Sequence, residues 1–250
     1  AEDEACGMCY TSGTTGHPKG VVYSHRSSVL HAFAAALPDD MSLSSRETVL
    51  PVVPMFHANA WGIPYAAIMV GTKIVFPGPH LDAESLLDLF QREAITLAAG
   101  VPTVWLGILQ ALEQHSGKWK IPEGMRMLSG GSAVPESMIR AFSAHGMEMI
   151  QAWGMTETSP LAALSYLKPG IRKLSQDQQF GYRARQGIPI PFVDLRIVAD
   201  DGEAPWDGKA VGEIQVRGPC VTASYHELTV AEDKFTADGW LRTGDVAPVD

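Results

Sequence analysis

Short apolar runs alternate with stretches of helical periodicity through most of the 250 residues, and this alternation limits the fold more than any other feature. Runs at Ala5–Tyr10, Thr48–Val52, Lys73–Phe76, Thr96–Ala99, Arg126–Leu128 and Glu148–Gln151 predict strands. Between them the spacing predicts helices over Ser27–Leu37, Gly62–Val70, Asp82–Arg92, Thr103–Gln114 and Pro135–His145. The third helix carries Leu86, Leu87, Leu89 and Phe90 on one side behind Asp82, a good N-cap. The last opens on Pro135, suited to a first helical turn, and should turn Met138, Ile139 and Phe142 inward. Such alternation predicts an α/β fold, with a mostly parallel sheet flanked by helices on both faces.

From about Gly187 the pattern changes. Ile188–Pro191, Val193–Val198, Glu213–Val216 and Trp240–Leu241 read as short strands separated by the turns Asp200-Asp201-Gly202, Asp207-Gly208 and Asp238-Gly239. A small β-rich subdomain, part of a barrel, is expected over 186–250, after an α/β subdomain over 1–185. The intervening Ser165–Arg185 is polar and holds Lys168, Arg172, Lys173, Arg183 and Arg185. It reads as a solvated connection, with a phosphate- or coenzyme-docking patch as the alternative.

Charge and length exclude several functions. With 19 basic against 28 acidic residues the formal net charge is -9, which disfavours nucleic acid and anionic membranes as partners. The most apolar stretch, Pro64–Val70, is far shorter than the ~20 residues of a membrane span. No secretory leader pattern opens the chain, and three cysteines fit a reducing compartment, so a cytoplasmic protein is expected. Ala5–Tyr10 reads as a buried strand with almost nothing ahead of it, and Asp245–Asp250 stops where another strand is expected. The chain is therefore expected to be part of a longer protein, a fragment of a larger N-terminal domain.

The densest chemistry lies in Tyr10–Gly20, YTSGTTGHPKG. Glycines 13, 16 and 20 let backbone N–H groups converge, Thr11, Ser12, Thr14 and Thr15 add hydroxyls, and Lys19 adds a point charge: a cradle for polyphosphate. It is not a Walker loop, because Gly20 follows Lys19. The segment is similar to the phosphate-binding signature of the adenylate-forming, AMP-binding superfamily. Further stretches follow in that family's order. Pro54-Met55-Phe56-His57 resembles its aromatic/His motif beside the acyl pocket, and Gly130-Gly131-Ser132-Ala133 its adenine edge. Gln151–Thr158, QAWGMTET, resembles its adenine and magnesium motif, and Trp240–Asp245, WLRTGD, its ribose motif.

The resemblance implies a ligase that activates a carboxylic acid with ATP as acyl-AMP, releases pyrophosphate, and passes the acyl group to coenzyme A. ATP or AMP would be bound by Thr11, Ser12, Gly13, Thr14, Thr15, Gly16, Lys19, Gly130, Gly131, Ser132, Gln151, Ala152, Trp153, Gly154, Met155, Thr156 and Asp245. Trp153 would stack on the purine with Gly154 allowing close approach. Thr156 and Glu157 would act at the phosphates, Glu157 as the Mg²⁺ ligand, and Asp245 would take the ribose hydroxyls. His57, Trp61, Val101 and Gly131 would border the acid, with Gly100-Val101-Pro102 and Met155–Leu161 lining its pocket. His57 is implied in the catalytic group, as a gate or wall and not as a base, since the acid is already ionised at neutral pH. Small apolar groups suit an aliphatic acyl chain, and the wording is most similar to medium- and long-chain fatty-acyl and methylmercaptopropionate CoA ligases. Luciferase-type and aryl-acid enzymes follow.

Family members add a smaller C-terminal domain with a catalytic lysine, so the resemblance implies slow turnover by these 250 residues alone. A non-catalytic adenylate-binding module and an unrelated phosphotransferase are the competing readings, and a homodimer stays open. Cys6-Gly7-Met8-Cys9 alternates across a strand and lacks a second pair, so zinc is not expected. No Gly-x-Ser-x-Gly elbow is present.

Overall fold

The computed structural model describes residues 1–11, 17–227 and 234–250. Thirteen strands, β1 (Ala5–Tyr10), β2 (Gly20–Ser24), β3 (Thr48–Pro51), β4 (Lys73–Ile74), β5 (Leu97–Gly100), β6 (Arg126–Ser129), β7 (Glu148–Gly154), β8 (Leu161–Leu164), β9 (Ile188–Pro189), β10 (Asp194–Ala199), β11 (Gly202–Glu203), β12 (Val211–Arg217) and β13 (Leu241–Pro248), form three sheets among the described residues. The helices are α1 (His25–Ala36), α2 (Ile63–Val70), α3 (Ala83–Arg92), α4 (Pro102–Gln114), α5 (Glu136–Ala144) and α6 (Gln176–Arg183).

The central sheet has seven strands in the order β4-β3-β5-β6-β7-β8-β9. Its first five are parallel, as the strand–helix alternation predicts; β8 pairs antiparallel with β7, and β9 pairs antiparallel with β8. Side chains alternate between its faces. Leu50, Ala98, Met127 and Met149 join one core with Leu86, Phe90, Trp105, Ile108, Ile139 and Phe142 from α3, α4 and α5. Val49, Leu97, Ala99, Leu128 and Ile150 point the other way, to Ala32, Ala35, Ala66 and Ala67 of α1 and α2. Each large apolar side chain buried this way contributes about 1.5–3 kcal/mol. Asp82 does cap α3, accepting from the Ser85 N–H at 2.9 Å. Pro135 stands one residue ahead of α5, whose Ile139 and Phe142 are buried.

Several expectations need correction. Ala5–Tyr10 is not a buried strand of the parallel sheet. It pairs only with β2, as an antiparallel hairpin, and Met8 and Tyr10 are exposed on it. The hairpin forms because Val21-Val22-Tyr23 supplies an alternating partner run just after the glycine-rich loop. Ile188–Pro191 contributes β9 to the edge of the central sheet, not to the β-rich part. The last strand is not confined to Trp240–Leu241 but runs from Leu241 to Pro248 beside β12. The polar Ser165–Arg185 stretch holds α6, opened by a Ser175 capping box and seated by buried Phe180.

The remaining sheet, β11-β10-β12-β13, is antiparallel. Its Ile197, Ile214, Val216 and Leu241 enter the same core as α1 and α2, so the small sheet is packed onto the α/β layer. Between His57 and α2 the chain makes a left-handed turn. Ala58, Asn59, Ala60 and Trp61 have φ of 45°, 54°, 50° and 60°, and Gly62 follows at 70°. L-residues avoid this region, at about 1–2 kcal/mol each. The turn is held from outside: Asn59 accepts from the Cys9 thiol at 3.6 Å, and Ala58, Ala60 and Trp61 are buried.

Candidate active site

Parallel strands aim their C-terminal ends at one edge, and the loops leaving that edge line a cleft of about 710 Å³. β6 delivers Gly130 and Gly131, and β7 delivers Ala152, Trp153 and Gly154 followed by Met155, Thr156 and Glu157. The segment after β3 brings His57 and Trp61, the hairpin brings Thr11 and Lys19, and β13 brings Asp245. Thus residues from all five expected motifs reach one cleft. Ser12, Gly13, Thr14, Thr15 and Gly16 lie outside the described residues, but the neck of their loop is pinned. Thr11 N–H donates to the Lys19 carbonyl at 2.9 Å, and Lys19 N–H donates to Thr11 Oγ1 at 3.2 Å.

Each wall has a local cause. A side chain on Gly130 would stand 3.1 Å from the Trp61 ring and 3.2 Å from the Ala152 carbonyl, so glycine allows the indole to lie against the strand end. At Gly154 the fold itself already requires glycine. A Cβ there would fall on the Pro160 carbonyl, which accepts from Met155 N–H at 3.0 Å to close the turn. Thr158 Oγ1 accepts from the same N–H at 2.9 Å. His31, buried in α1, accepts the Leu161 N–H on Nε2 at 3.1 Å, and burial lowers its pKa to about 4.

The charged groups are held as follows. Glu157 is 6% exposed and accepts from the Tyr225 hydroxyl at 2.6 Å, while its carbonyl accepts from Thr222 N–H at 2.8 Å. The Tyr23 hydroxyl donates to the Thr156 carbonyl at 2.8 Å. Burial, with the Glu157 carboxylate next, pushes the Tyr225 phenol well above its ordinary value, so it stays a donor. Lys19 Nζ sits 4.9 Å above the Tyr225 ring. Across the cleft the Trp153 indole N–H donates to Asp245 Oδ2 at 2.8 Å. Asp245 is set by its own strand, its N–H donating to Thr243 Oγ1 at 3.0 Å.

Among the expected residues, Gln151, Ser132 and Val101 do not line the cleft, and neither do Gly100, Pro102, Thr158 and Ser159. Gln151 is buried beneath it, accepting the Val134 N–H at 2.7 Å and donating to the Arg183 and Arg185 carbonyls. Ser132 is exposed. Val101 caps the start of α4 and would touch a side chain on Gly131 at 3.6 Å. Pro160 and Leu161 of the expected Met155–Leu161 lining do line the cleft, and Tyr225, Lys234, Thr243 and Gly244 line it without having been foreseen. Thr243 and Gly244 sit inside the WLRTGD motif, which could have flagged them. Tyr225 and Lys234 carry no pattern of their own.

Among the described residues no group of three or more His, Cys, Asp or Glu could hold a metal. Glu157 fits Mg²⁺ as a single hard carboxylate lining the cleft, suited to an ion that keeps waters and shares substrate phosphates. Among the described residues no helix is long and apolar enough to cross a membrane.

The sequence profile of the AMP-binding enzyme family matches residues 1–226. The chain is 49% identical over 248 residues to a long-chain-fatty-acid–CoA ligase of Thermus thermophilus, which covers 98% of this chain and 46% of that one. It is also 49% identical over 251 residues to a medium-chain-fatty-acid–CoA ligase of Ectopseudomonas oleovorans, covering 100% of this chain and 45% of the relative. The fold superposes on the inhibitor-bound N-terminal domain of FACL13 from Mycobacterium tuberculosis with a TM-score of 0.82 and 27% identity, covering 99% of this chain and 58% of the other. The chain thus spans about half the length of the curated relatives it matches. With the profile covering most of its length and its motif residues gathered at one cleft, the chain belongs to the AMP-binding enzyme family.

Proposed function

We propose that this chain is the nucleotide- and acyl-binding part of an ATP-dependent acid–thiol ligase that uses ATP, Mg²⁺ and coenzyme A. The observation that carries the reading is the convergence of Thr11, Lys19, Trp153, Thr156, Glu157 and Asp245 on one cleft in a member of this family. A carboxylate oxygen attacks the α-phosphorus of ATP, the bond to pyrophosphate breaks, and acyl-AMP forms; a thiol then attacks the acyl carbon and AMP leaves. Negative charge builds on the phosphates, so catalysis rests on positioning and on donors already in place. Lys19 and the loop it closes receive the pyrophosphate, Thr156 donates to a phosphate, and Asp245 accepts from the ribose hydroxyls. Trp153 packs on the base, beside Gly130 and Gly131. When bound at Glu157, Mg²⁺ supplies charge neutralisation at the phosphates.

Trp61, Gly131, Met155 and Leu161 border the acid, with exposed His57 at its mouth. Glu157 and Asp245 serve the nucleotide end, which leaves apolar walls for an aliphatic acid, a fatty or short thioether acid. In this reading 1–185 carries most of the site and 186–250 supplies the ribose side, and the segment alone turns over slowly. Three free cysteines fit a cytoplasmic setting. Sedimentation velocity decides between monomer and homodimer.

The test is calorimetric titration of the chain with a non-hydrolysable alkyl-acyl-adenylate analogue. Saturable binding that Asp245→Ala and Trp153→Ala weaken strongly, and Glu157→Ala little, supports the reading. Absence of binding by folded protein refutes it, and ADP in place of AMP and pyrophosphate from any turnover would indicate a phosphotransferase instead.

A further inference from the structure

Glu157 takes part in no ion pair among the described residues, although it is almost wholly buried. The side chain that reaches it is a neutral phenol: Tyr225, itself 4% exposed, donates to Glu157 Oε1 at 2.6 Å. The nearby cation, Lys19, is placed over the face of that same phenol instead. Two further contacts tie the two segments, and a third seats the Tyr225 ring. Thr222 N–H donates to the Glu157 carbonyl, Ser159 Oγ donates to the Cys220 carbonyl at 2.7 Å, and the Tyr225 ring packs against Phe235 at 5.8 Å. The phenol occupies Oε1 and, among the described residues, no side chain or backbone donor is bonded to Oε2 of this cleft-lining carboxylate.

We infer that Tyr225 is a positioning residue for a metal-bearing carboxylate: its hydroxyl fixes the orientation of Glu157 and its ring seats Lys19, so one side chain sets the spacing between the two charges that grip the pyrophosphate. This rests on the proposed role of Glu157. Partners of this kind around a ligand typically change metal affinity about 10- to 100-fold when removed.

The experiment measures ATP binding to the chain by calorimetry across a magnesium titration and in EDTA, for the unaltered protein, Tyr225→Phe, Tyr225→Leu and Glu157→Gln, with AMP as the metal-independent control. Tyr225→Phe keeps the ring and should raise the half-saturating magnesium concentration about tenfold while AMP binds as before. Tyr225→Leu should in addition weaken ATP binding in EDTA, because Lys19 loses its platform. If Glu157→Gln raises the magnesium requirement and Tyr225→Phe does not, the positioning role is wrong and the metal reading stands. If Glu157→Gln changes nothing, the metal reading falls and the role of Tyr225 with it. Equal losses of AMP and magnesium–ATP binding in Tyr225→Phe would show a general structural part and overturn the inference.

Discussion

Asp40, in the turn after α1, is 2% exposed, and neither carboxylate oxygen has a hydrogen-bond partner among the described residues. Burial, with neighbouring Asp39 adding to it, raises its pKa from 3.8 to about 7. The folded protein therefore holds a proton that the unfolded chain releases above 3.8, and the stability tied to Asp40 is full at low pH and lost as pH rises toward 7. At about 1.36 kcal/mol per pH unit, that amounts to about 4 kcal/mol. His31 works in the opposite sense. Its pKa falls from 6.5 to about 4, so its contribution is present above 6.5 and lost as pH drops toward 4, about 3 kcal/mol in all. The two slopes nearly cancel, and the unaltered protein should show a shallow stability profile between pH 4.5 and 6.5, roughly the window both groups share. Asp40→Asn removes one of them. Its amide still lacks partners, which costs about 1–3 kcal/mol, so the net gain near pH 8 should be about 1–3 kcal/mol. More telling is the slope: urea unfolding at several pH values should show stability in Asp40→Asn falling steeply below pH 6.5, where His31 acts unopposed. A variant whose profile parallels the parent's would refute the assignment of that titration to Asp40.

Trp153→Phe keeps an aromatic face but removes the indole N–H that holds Asp245, and should weaken an acyl-adenylate analogue about fivefold, the worth of one hydrogen bond. An analogue lacking both ribose hydroxyls should bind the two proteins alike in calorimetry; unequal loss would separate Asp245 from the ribose. Gly154→Ala should lower stability by about 2 kcal/mol or more, read as the thermal midpoint, because its methyl falls on the Pro160 carbonyl.

Much of this was legible in the residues because local and global signals agree. Asp82 caps a helix that its leucines bury, and the β3, β5, β6 and β7 runs are apolar on both faces as a covered parallel sheet requires. Most motif residues reach one cleft because they lie at or just past a strand end or a hairpin neck, while Asp245 is brought there from within β13. What escaped depends on partners far along the chain. Leu161–Leu164 has no β-branched residue and is a strand through its pairing with β7 and β9. Gln151 serves backbone groups of Val134, Arg183 and Arg185, a duty set by burial that its motif does not display. Tyr225 finds Glu157 across 68 positions, and no spacing rule announces such a meeting.

The left-handed turn at Ala58–Trp61 reverses a familiar rule of protein engineering. Replacing glycine by alanine ordinarily firms a chain, yet here the backbone follows the mirror image of the path that L-residues favour. Glycine at Ala60 would relax the handedness penalty of about 1–2 kcal/mol while giving up one buried methyl of about 0.8 kcal/mol. In this one stretch of wall the asymmetry of the amino acid itself is a burden the fold carries, and the least chiral residue is the one that would lighten it.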